Sequence, residues 1–160
     1  MADVTLRLAK PEDVPTILGF VQALAEFEHL SHEVDATEED FQRSLFGDAP
    51  RAEALIVEHA GQPIGFALWF YNFSTFRGRP GLYLEDIYIE PAYRRRGIGR
   101  RIFLFLARHA VERGCVRFDW DVLNWNVKAI QFYRSLGAVP RDGWTRHRLE
   151  DEALRALVEG

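Results

Sequence analysis

Two adjacent acids stand inside an otherwise apolar run, Leu82-Tyr83-Leu84-Glu85-Asp86-Ile87-Tyr88-Ile89. The run is aromatic and β-branched and ends at Pro91, so it reads as a buried strand. Carboxylates are costly to bury without a partner. Glu85 or Asp86 is therefore either a salt-bridge or strand-end acid, or a group that accepts protons in a reaction. Alternation along a strand puts the two on opposite faces, so at most one faces a reacting group directly. Next comes Arg94-Arg95-Arg96-Gly97-Ile98-Gly99-Arg100, followed by Ile98, Ile102, Phe105, Leu106 and Ala110 at helical spacing. The glycines thus sit where a strand passes through a loop into a helix start. Free N–H groups and a partial positive charge there suit a phosphate, and the arginines add charges that fork onto phosphate oxygens. Alone, the two glycines describe a tight turn with a solvated basic face equally well. The Walker pattern is absent, as is the third glycine of the dinucleotide fingerprint.

Other residues carry weaker signals. Tyr133 lies in Asn126-Val127-Lys128-Ala129-Ile130-Gln131-Phe132-Tyr133, where spacing alone describes a core tyrosine with a satisfied hydroxyl. From Pro11 to Gln42 there is no Lys or Arg, while Glu12, Asp13, Glu26, Glu28, Glu33, Asp35, Glu38, Glu39 and Asp40 all fall there. Such a field attracts a cation, although each acid singly also fits a solvated helix face. His29 and His32 lack a clear third ligand, so no metal is expected. Cys115 reads as a buried strand residue without a catalytic role. Asp119 and Asp121 share one strand face, which fits either a cleft lining or ion pairs with nearby arginines.

The elements that must position these groups follow from periodicity and punctuation. Val4 to Leu8 is a half-buried strand. Pro11-Glu12-Asp13 opens a helix with Val14, Ile17, Leu18, Val21, Leu24 and Ala25 as its apolar stripe, ending near His29 or Leu30. Thr37-Glu38-Glu39-Asp40 caps a second helix stopped by Gly47. Ala54–Glu58 and Ile64–Tyr71 form a hairpin about Gly61-Gln62-Pro63, Asn72 to Gly81 is a loop, and the central strand follows. The helix from Gly97 ends near Gly114. Then come a strand from Cys115 to Val122, a helix from Asn126 to Leu136 closed by Gly137, a last strand from Trp144 to Leu149, and a short helix from Glu150 to Val158. The expected fold is one α/β domain across 1–160, a mixed, mostly antiparallel sheet flanked by helices.

With 160 residues and 48% hydrophobic content, a real core is expected. The net charge of −4 argues against a nucleic-acid partner despite the arginine cluster. The single cysteine excludes an internal disulfide and suits a reducing compartment. Met1-Ala2-Asp3 begins no signal segment and no apolar run approaches membrane-spanning length, so a cytoplasmic protein without a membrane partner is expected.

Arg94-Arg95-Arg96-Gly97-Ile98-Gly99 resembles the Arg/Gln-x-x-Gly-x-Gly/Ala loop of the GNAT acetyltransferases, and the order of elements resembles their layout. Within that superfamily the chain is similar to the diamine (spermidine/spermine) and thialysine acetyltransferase group. The resemblance runs through Leu24-Ala25-Glu26-Phe27-Glu28-His29-Leu30-Ser31, Tyr83-Leu84-Glu85-Asp86-Ile87-Tyr88, Val122-Leu123-Asn124-Trp125-Asn126, Phe132-Tyr133-Arg134-Ser135-Leu136-Gly137-Ala138 and Gly143-Trp144. It implies acetyl-CoA as co-substrate, with its pyrophosphate wrapped by Arg94, Arg95, Arg96, Gly97, Ile98, Gly99 and Arg100. It also implies a pantetheine arm paired with backbone groups of Ile87, Tyr88 and Ile89, while Asn126, Lys128, Ala129 and Tyr133 meet the coenzyme from the other side. The departure is at Arg95 and Arg96, where these relatives tend to have Gly and a neutral residue.

Acetyl transfer to an amine poses two proton problems. An alkyl ammonium has a pKa near ~10.4, so its neutral form costs about 4.6 kcal/mol at pH 7. The departing thiolate also benefits from a proton. By resemblance Tyr133 is the acid and Glu85 the base, acting through a water, with Phe27, Glu28 and Asp142 as substrate contacts. The expected substrate is a small cationic amine. Thialysine or a lysine-like amino acid is favoured because Phe73 to Arg79 and Glu26 to Ser31 look more like that branch, and because Arg77 and Arg79 can pair a carboxylate. A polyamine substrate and a non-catalytic acyl-CoA-binding module are the alternatives. The resembling family forms homodimers through C-terminal segments, and the apolar Trp144–Leu149 edge suits pairing with a copy of itself.

Overall fold

The computed structural model describes residues 3–159; Met1, Ala2 and Gly160 lie outside them. The chain divides into two compact units, one up to Asp121 and one from Val122 onward. The first holds β1 (Val4–Leu8), α1 (Val14–Phe27), α2 (Glu38–Phe46), β2 (Glu53–His59), β3 (Gln62–Ser74), β4 (Arg79–Ile89), α3 (Ile98–Glu112) and β5 (Phe118–Trp120). Its sheet has the order β1-β2-β3-β4-β5. The first four strands are antiparallel, and β5 runs parallel to β4 from Leu82↔Phe118 to Leu84↔Trp120. This is the mixed, mostly antiparallel α/β arrangement expected.

Local chemistry explains the boundaries. Ala60 and Gly61 both adopt positive φ, which suits the twist of a two-residue hairpin turn between β2 and β3. Thr37 Oγ1 accepts from Asp40 N–H at 3.3 Å and Asp40 Oδ2 accepts from Thr37 N–H at 2.9 Å, closing the capping box of α2. The start of α1 is fixed from outside the helix. Arg7 donates to Asp13 through both Nη groups at 2.7 and 2.9 Å, and its Nε donates to Glu58.

The sheet buries both faces. Phe20 of α1 stacks on Phe66 and meets Tyr88, in a cluster with Ile17, Leu45, Ile56 and Leu68. The opposite face meets α3, whose buried stripe is Ile98, Ile102, Phe103, Leu106 and Ala110. Phe103, rather than the expected Phe105, turns inward and packs on Phe118 and Trp120. Glu53 Oε2 accepts from Trp69 Nε1 at 2.9 Å and from Tyr71 Oη at 2.7 Å, and lies 3.2 Å from His109 Nε2 of α3. These bonds pin α3 to the sheet, and with it the loop at its start.

Three strand expectations are corrected. Asn72 to Gly81 is mostly strand, because β3 runs to Ser74 and β4 starts at Arg79, with a tight turn between them. The strand expected over Cys115 to Val122 shrinks to Phe118–Trp120, and Cys115 is a half-buried residue before it whose N–H caps the Ala110 carbonyl. The strand expected from Trp144 to Leu149 does not form. A strand exists only where a neighbour takes its backbone bonds, and the described sheet consists of β1 to β5 alone.

The second unit holds α4 (Val127–Ser135) and α5 (Asp151–Glu159). Asn126 caps α4 by accepting from Ala129 N–H at 3.3 Å, and Gly137 at φ +89° follows its end. Every described residue from Val139 onward is exposed.

Candidate active site

The acids of β4 sit at an irregularity that no alternation rule anticipates. Leu68 pairs with Asp86 and the next residue, Trp69, pairs with Leu84, so Glu85 is an extra residue, a β-bulge. Residues paired across a ladder share a face. Leu82 and Leu84 therefore face α3 together with Trp69, whereas Asp86 and Tyr88 face α1 together with Leu68 and Phe66. Glu85 itself is exposed.

Asp86 is a strongly perturbed carboxyl of this unit. Burial is the first cause and the charges of Glu85 and Glu28 follow, together pushing its pKa up to about 6. Glu28, one residue past α1, is also raised by burial. Asp86 thus feels the charge of both other acids, and Phe27, next to Glu28 in the chain, keeps 41% of its surface exposed. An ammonium placed among them would be drawn in and would favour their ionised forms.

Arg94 joins the acids to the glycine loop. Its Nε donates to the Ile89 carbonyl at 2.7 Å, and its guanidinium lies 5.0 Å from the Phe27 ring centre and 5.3 Å from that of Tyr88. Arg96 stacks over Tyr93, Arg95 holds φ +61°, and Gly97 holds φ +78° at the start of α3. A side chain on Gly97 would meet nothing within 4 Å, so this glycine is required for its backbone angle rather than for space. The first helical bond of α3 runs from Arg101 N–H to Gly97 O, which leaves the N–H groups of Ile98, Gly99 and Arg100 outside the helix's own ladder.

Backbone direction divides the expected pantetheine contacts. Glu90 N–H donates to Ile64 O, and the Tyr88 carbonyl faces Gly65, so Tyr88 spends its backbone groups on β3. By strand alternation Ile87 and Ile89 turn theirs to the other edge, where pairing with β5 has already ended at Leu84.

The remaining candidates lie on other elements or at the far end of β4. Arg77 and Arg79 are exposed at the β3–β4 turn, and Arg79 precedes Glu85 by six residues, about 20 Å of strand. Asp119 pairs with Arg117 at 3.2 Å. In the second unit Tyr133 is half-buried on α4 with its ring against Phe132, Lys128 is exposed, and Asp142 lies in an exposed turn. Among the described residues no cluster of three or more His, Cys, Asp or Glu is placed to hold a metal.

A search of protein families matches residues 18–138 to the acetyltransferase (GNAT) family. The chain belongs to that family. It is 40% identical over 169 residues to the thialysine N-epsilon-acetyltransferase of Sus scrofa, with 99% of each chain covered. It is 30% identical over 197 residues to an L-ornithine N5-acetyltransferase of Arabidopsis thaliana, covering 95% of this chain and 86% of that one. Its fold is shared with AAC(6')-Iy, solved in complex with the bisubstrate analogue CoA-S-monomethyl-acetylneamine, at a TM-score of 0.74 and 18% identity over 92% of this chain and 99% of that one.

For an acetyltransferase the features missed in the sequence are those that depend on register. Asp86 was visible as a residue, but nothing local announced that a bulge would swing it to the α1 face beside Glu28. The stacking of Arg94 was equally hidden, since Phe27 and Tyr88 lie far apart along the chain.

Proposed function

We propose that this acetyltransferase uses acetyl-CoA to acetylate the side-chain amine of thialysine or a lysine-like amino acid. The observation that carries this reading is the placement of Glu85 and Asp86 on a strand leading directly into the glycine–arginine helix start, with Glu28 at the end of α1 near enough for its charge to act on Asp86. The free N–H groups of Ile98, Gly99 and Arg100, with the Arg94, Arg95, Arg96 and Arg100 side chains, would hold the pyrophosphate. Backbone groups of Ile87 and Ile89 would pair the pantetheine arm, with Asn126, Lys128 and Ala129 as the contacts expected from the second unit. Bound acetyl-CoA supplies the activated acyl group as a thioester.

The chain's own residues then manage protons and charge. Glu28 and Asp86 attract and hold the incoming ammonium. Glu85, exposed at the bulge, takes the amine's proton through a water, and Tyr133 holds a phenolic proton for the departing sulfur. Phe27 and Asp142 complete the acceptor contacts. The identities to an acetyltransferase of thialysine and to one of ornithine, both α-amino acids, support an amino acid acceptor.

We further place one acetyltransferase domain across 1–160, in a reducing, cytoplasmic setting. The lone cysteine supports this, and no described helix is long and apolar enough to cross a membrane. A homodimer completes the reading. Trp144 is 78% exposed, and Leu149, Leu154, Leu157 and Val158 are exposed with it, an unusual load for a chain that works alone.

Turnover of acetyl-CoA over thialysine, lysine, ornithine and spermidine tests the assignment. Thialysine is expected to give the highest kcat/KM. Acetylspermidine as main product from an equimolar mixture would move the enzyme to polyamines, and no turnover with any amine would leave a binding module.

A further inference from the structure

We infer that Arg95 and Arg96 hold the 3′-phosphate of coenzyme A, so that the protein distinguishes the coenzyme from its dephospho form. This rests on the acetyl-CoA reading above and names a second anionic group that the same loop reads.

The loop holds more positive charge than a pyrophosphate needs. From Pro91 to Val111 there is no acid, while Arg94, Arg95, Arg96, Arg100 and Arg101 crowd around the start of α3. Like charges gathered in this way repel one another unless an anion is bound. Each phosphate of a pyrophosphate diester carries a single negative charge, and the helix start already offers it the N–H groups of Ile98, Gly99 and Arg100. The ribose of coenzyme A bears a further phosphate, a monoester with a charge of about −1.5 to −2 near pH 7. It is separated from the pyrophosphate by one sugar, so residues that meet it must adjoin the cradle without belonging to the helix start.

The five arginines are not equivalent. Arg101 donates through Nη2 to the Val4 carbonyl at 2.8 Å, which turns it to β1. Arg94 is tied through Nε to the Ile89 carbonyl at the end of β4, the strand proposed to carry the pantetheine arm. Arg100 lies in the first turn of α3. Arg95 and Arg96 come before Gly97, between the end of β4 and α3, and both are exposed. Neither has a hydrogen bond or an ion pair among the described residues. The Arg96 guanidinium lies 5.5 Å from the Tyr93 ring centre, which restrains it while its nitrogens stay available to phosphate oxygens. Arg95 is kept at a cost. Its backbone stands at φ +61°, where glycine is unstrained and arginine is not. No bond of its side chain within the protein offsets that strain, which fits a group that works on a ligand.

Dephospho-coenzyme A lacks the 3′-phosphate and is otherwise the same molecule. The affinities of both are measured by calorimetry on the full chain, for wild type, Arg95→Gly, Arg96→Gln, the double variant, Arg100→Gln and Arg101→Gln. Any share an arginine has in the pyrophosphate lowers both affinities alike and cancels in their ratio. Wild type is expected to bind coenzyme A about tenfold or more tightly than the dephospho form, because charge-assisted forks to a phosphate are at stake. Arg95→Gly and Arg96→Gln should each cut that ratio about threefold or more, and the double variant should bring it near one. Arg100→Gln and Arg101→Gln should keep the wild-type ratio. Added salt should shrink the ratio for wild type and leave that of the double variant unchanged. Arg95→Gly relieves backbone strain and is expected to fold, which thermal melts check.

A wild-type ratio of one would leave the 3′-phosphate in solvent and overturn the inference. A wild-type ratio that the double variant keeps would overturn it too, making Arg95 and Arg96 ligands of the pyrophosphate or bystanders. A ratio lost only in Arg100→Gln would put the ribose phosphate at the helix start instead. Wild type that binds neither molecule overturns the acetyl-CoA reading itself.

Discussion

Leu84 and Asp86 stand two residues apart on β4 yet face opposite sides of the sheet, because Glu85 between them is an extra residue in the ladder. A regular strand would have turned Asp86 to the α3 face with Leu84 and Trp69. The bulge places it under α1 instead, within the influence of Glu28, and leaves Glu85 exposed at the bend.

The first prediction concerns Asp86, whose pKa is about 6 against an ordinary 3.8. Between those values the folded protein binds more protons than the unfolded chain, so stability falls as pH rises through that window. The loss is complete above the folded pKa and amounts to up to about 3 kcal/mol. Asp86→Asn should therefore be more stable than wild type at pH 8, with the difference shrinking towards pH 4, while its KM for the amine rises. Denaturant melts at both pH values check this; a variant less stable than wild type at pH 8 sinks it.

Arg95 occupies left-handed backbone at φ +61°, a conformation that costs an ordinary residue about 1–2 kcal/mol. Arg95→Gly should raise stability by roughly that amount while weakening acetyl-CoA binding, most clearly at low salt. Thermal melts and calorimetry at two ionic strengths separate the effects. Unchanged affinity would remove Arg95 from the pyrophosphate site.

Tyr133→Phe deletes one oxygen. If the phenol supplies the leaving sulfur's proton, kcat should fall about 10²-fold or more while acetyl-CoA affinity stays close to wild type. Wild-type turnover would make Tyr133 a packing residue.

Asp13 is 9% exposed and takes both Nη groups of Arg7, which hold its carboxyl below the ordinary range. A carboxyl depressed in this way stabilises the fold at pH values above its unfolded pKa, and the contribution is lost as pH falls through the folded one. Asp13→Asn should cost about 1–3 kcal/mol at pH 7 and progressively less in strong acid. A constant difference from pH 7 down to pH 2 would contradict this.

The exposed apolar tail makes a prediction about assembly. Light scattering at micromolar concentration should return twice the 18.5 kDa chain mass, and removing residues 144–159 should return the monomer. A monomeric wild type refutes the dimer.

Most of the helices were legible because their signals are local. Pro11-Glu12-Asp13, the Thr37–Asp40 box, Gly47, Gly97 and Gly137 act within a turn of the residues they punctuate, and the structure starts or stops helices beside each of them. Trp144 to Leu149 misled for the converse reason. Its apolar alternation states what a strand could bury, but a strand forms only when a second one accepts its backbone bonds.

The chemistry of the site was likewise local in part. Alone, the residue order identifies the arginine–glycine helix start, the paired acids and a tyrosine on a capped helix, and the resemblance of these segments to the GNAT acetyltransferases is what points to acetyl transfer. Tertiary structure decided which acid is perturbed, which backbone groups of β4 remain available, and what Arg94 touches. Each of these depends on cross-strand register or on the approach of α1 to β4. A single extra residue in a ladder reverses the face of every residue after it, and no spacing within the strand itself records that choice.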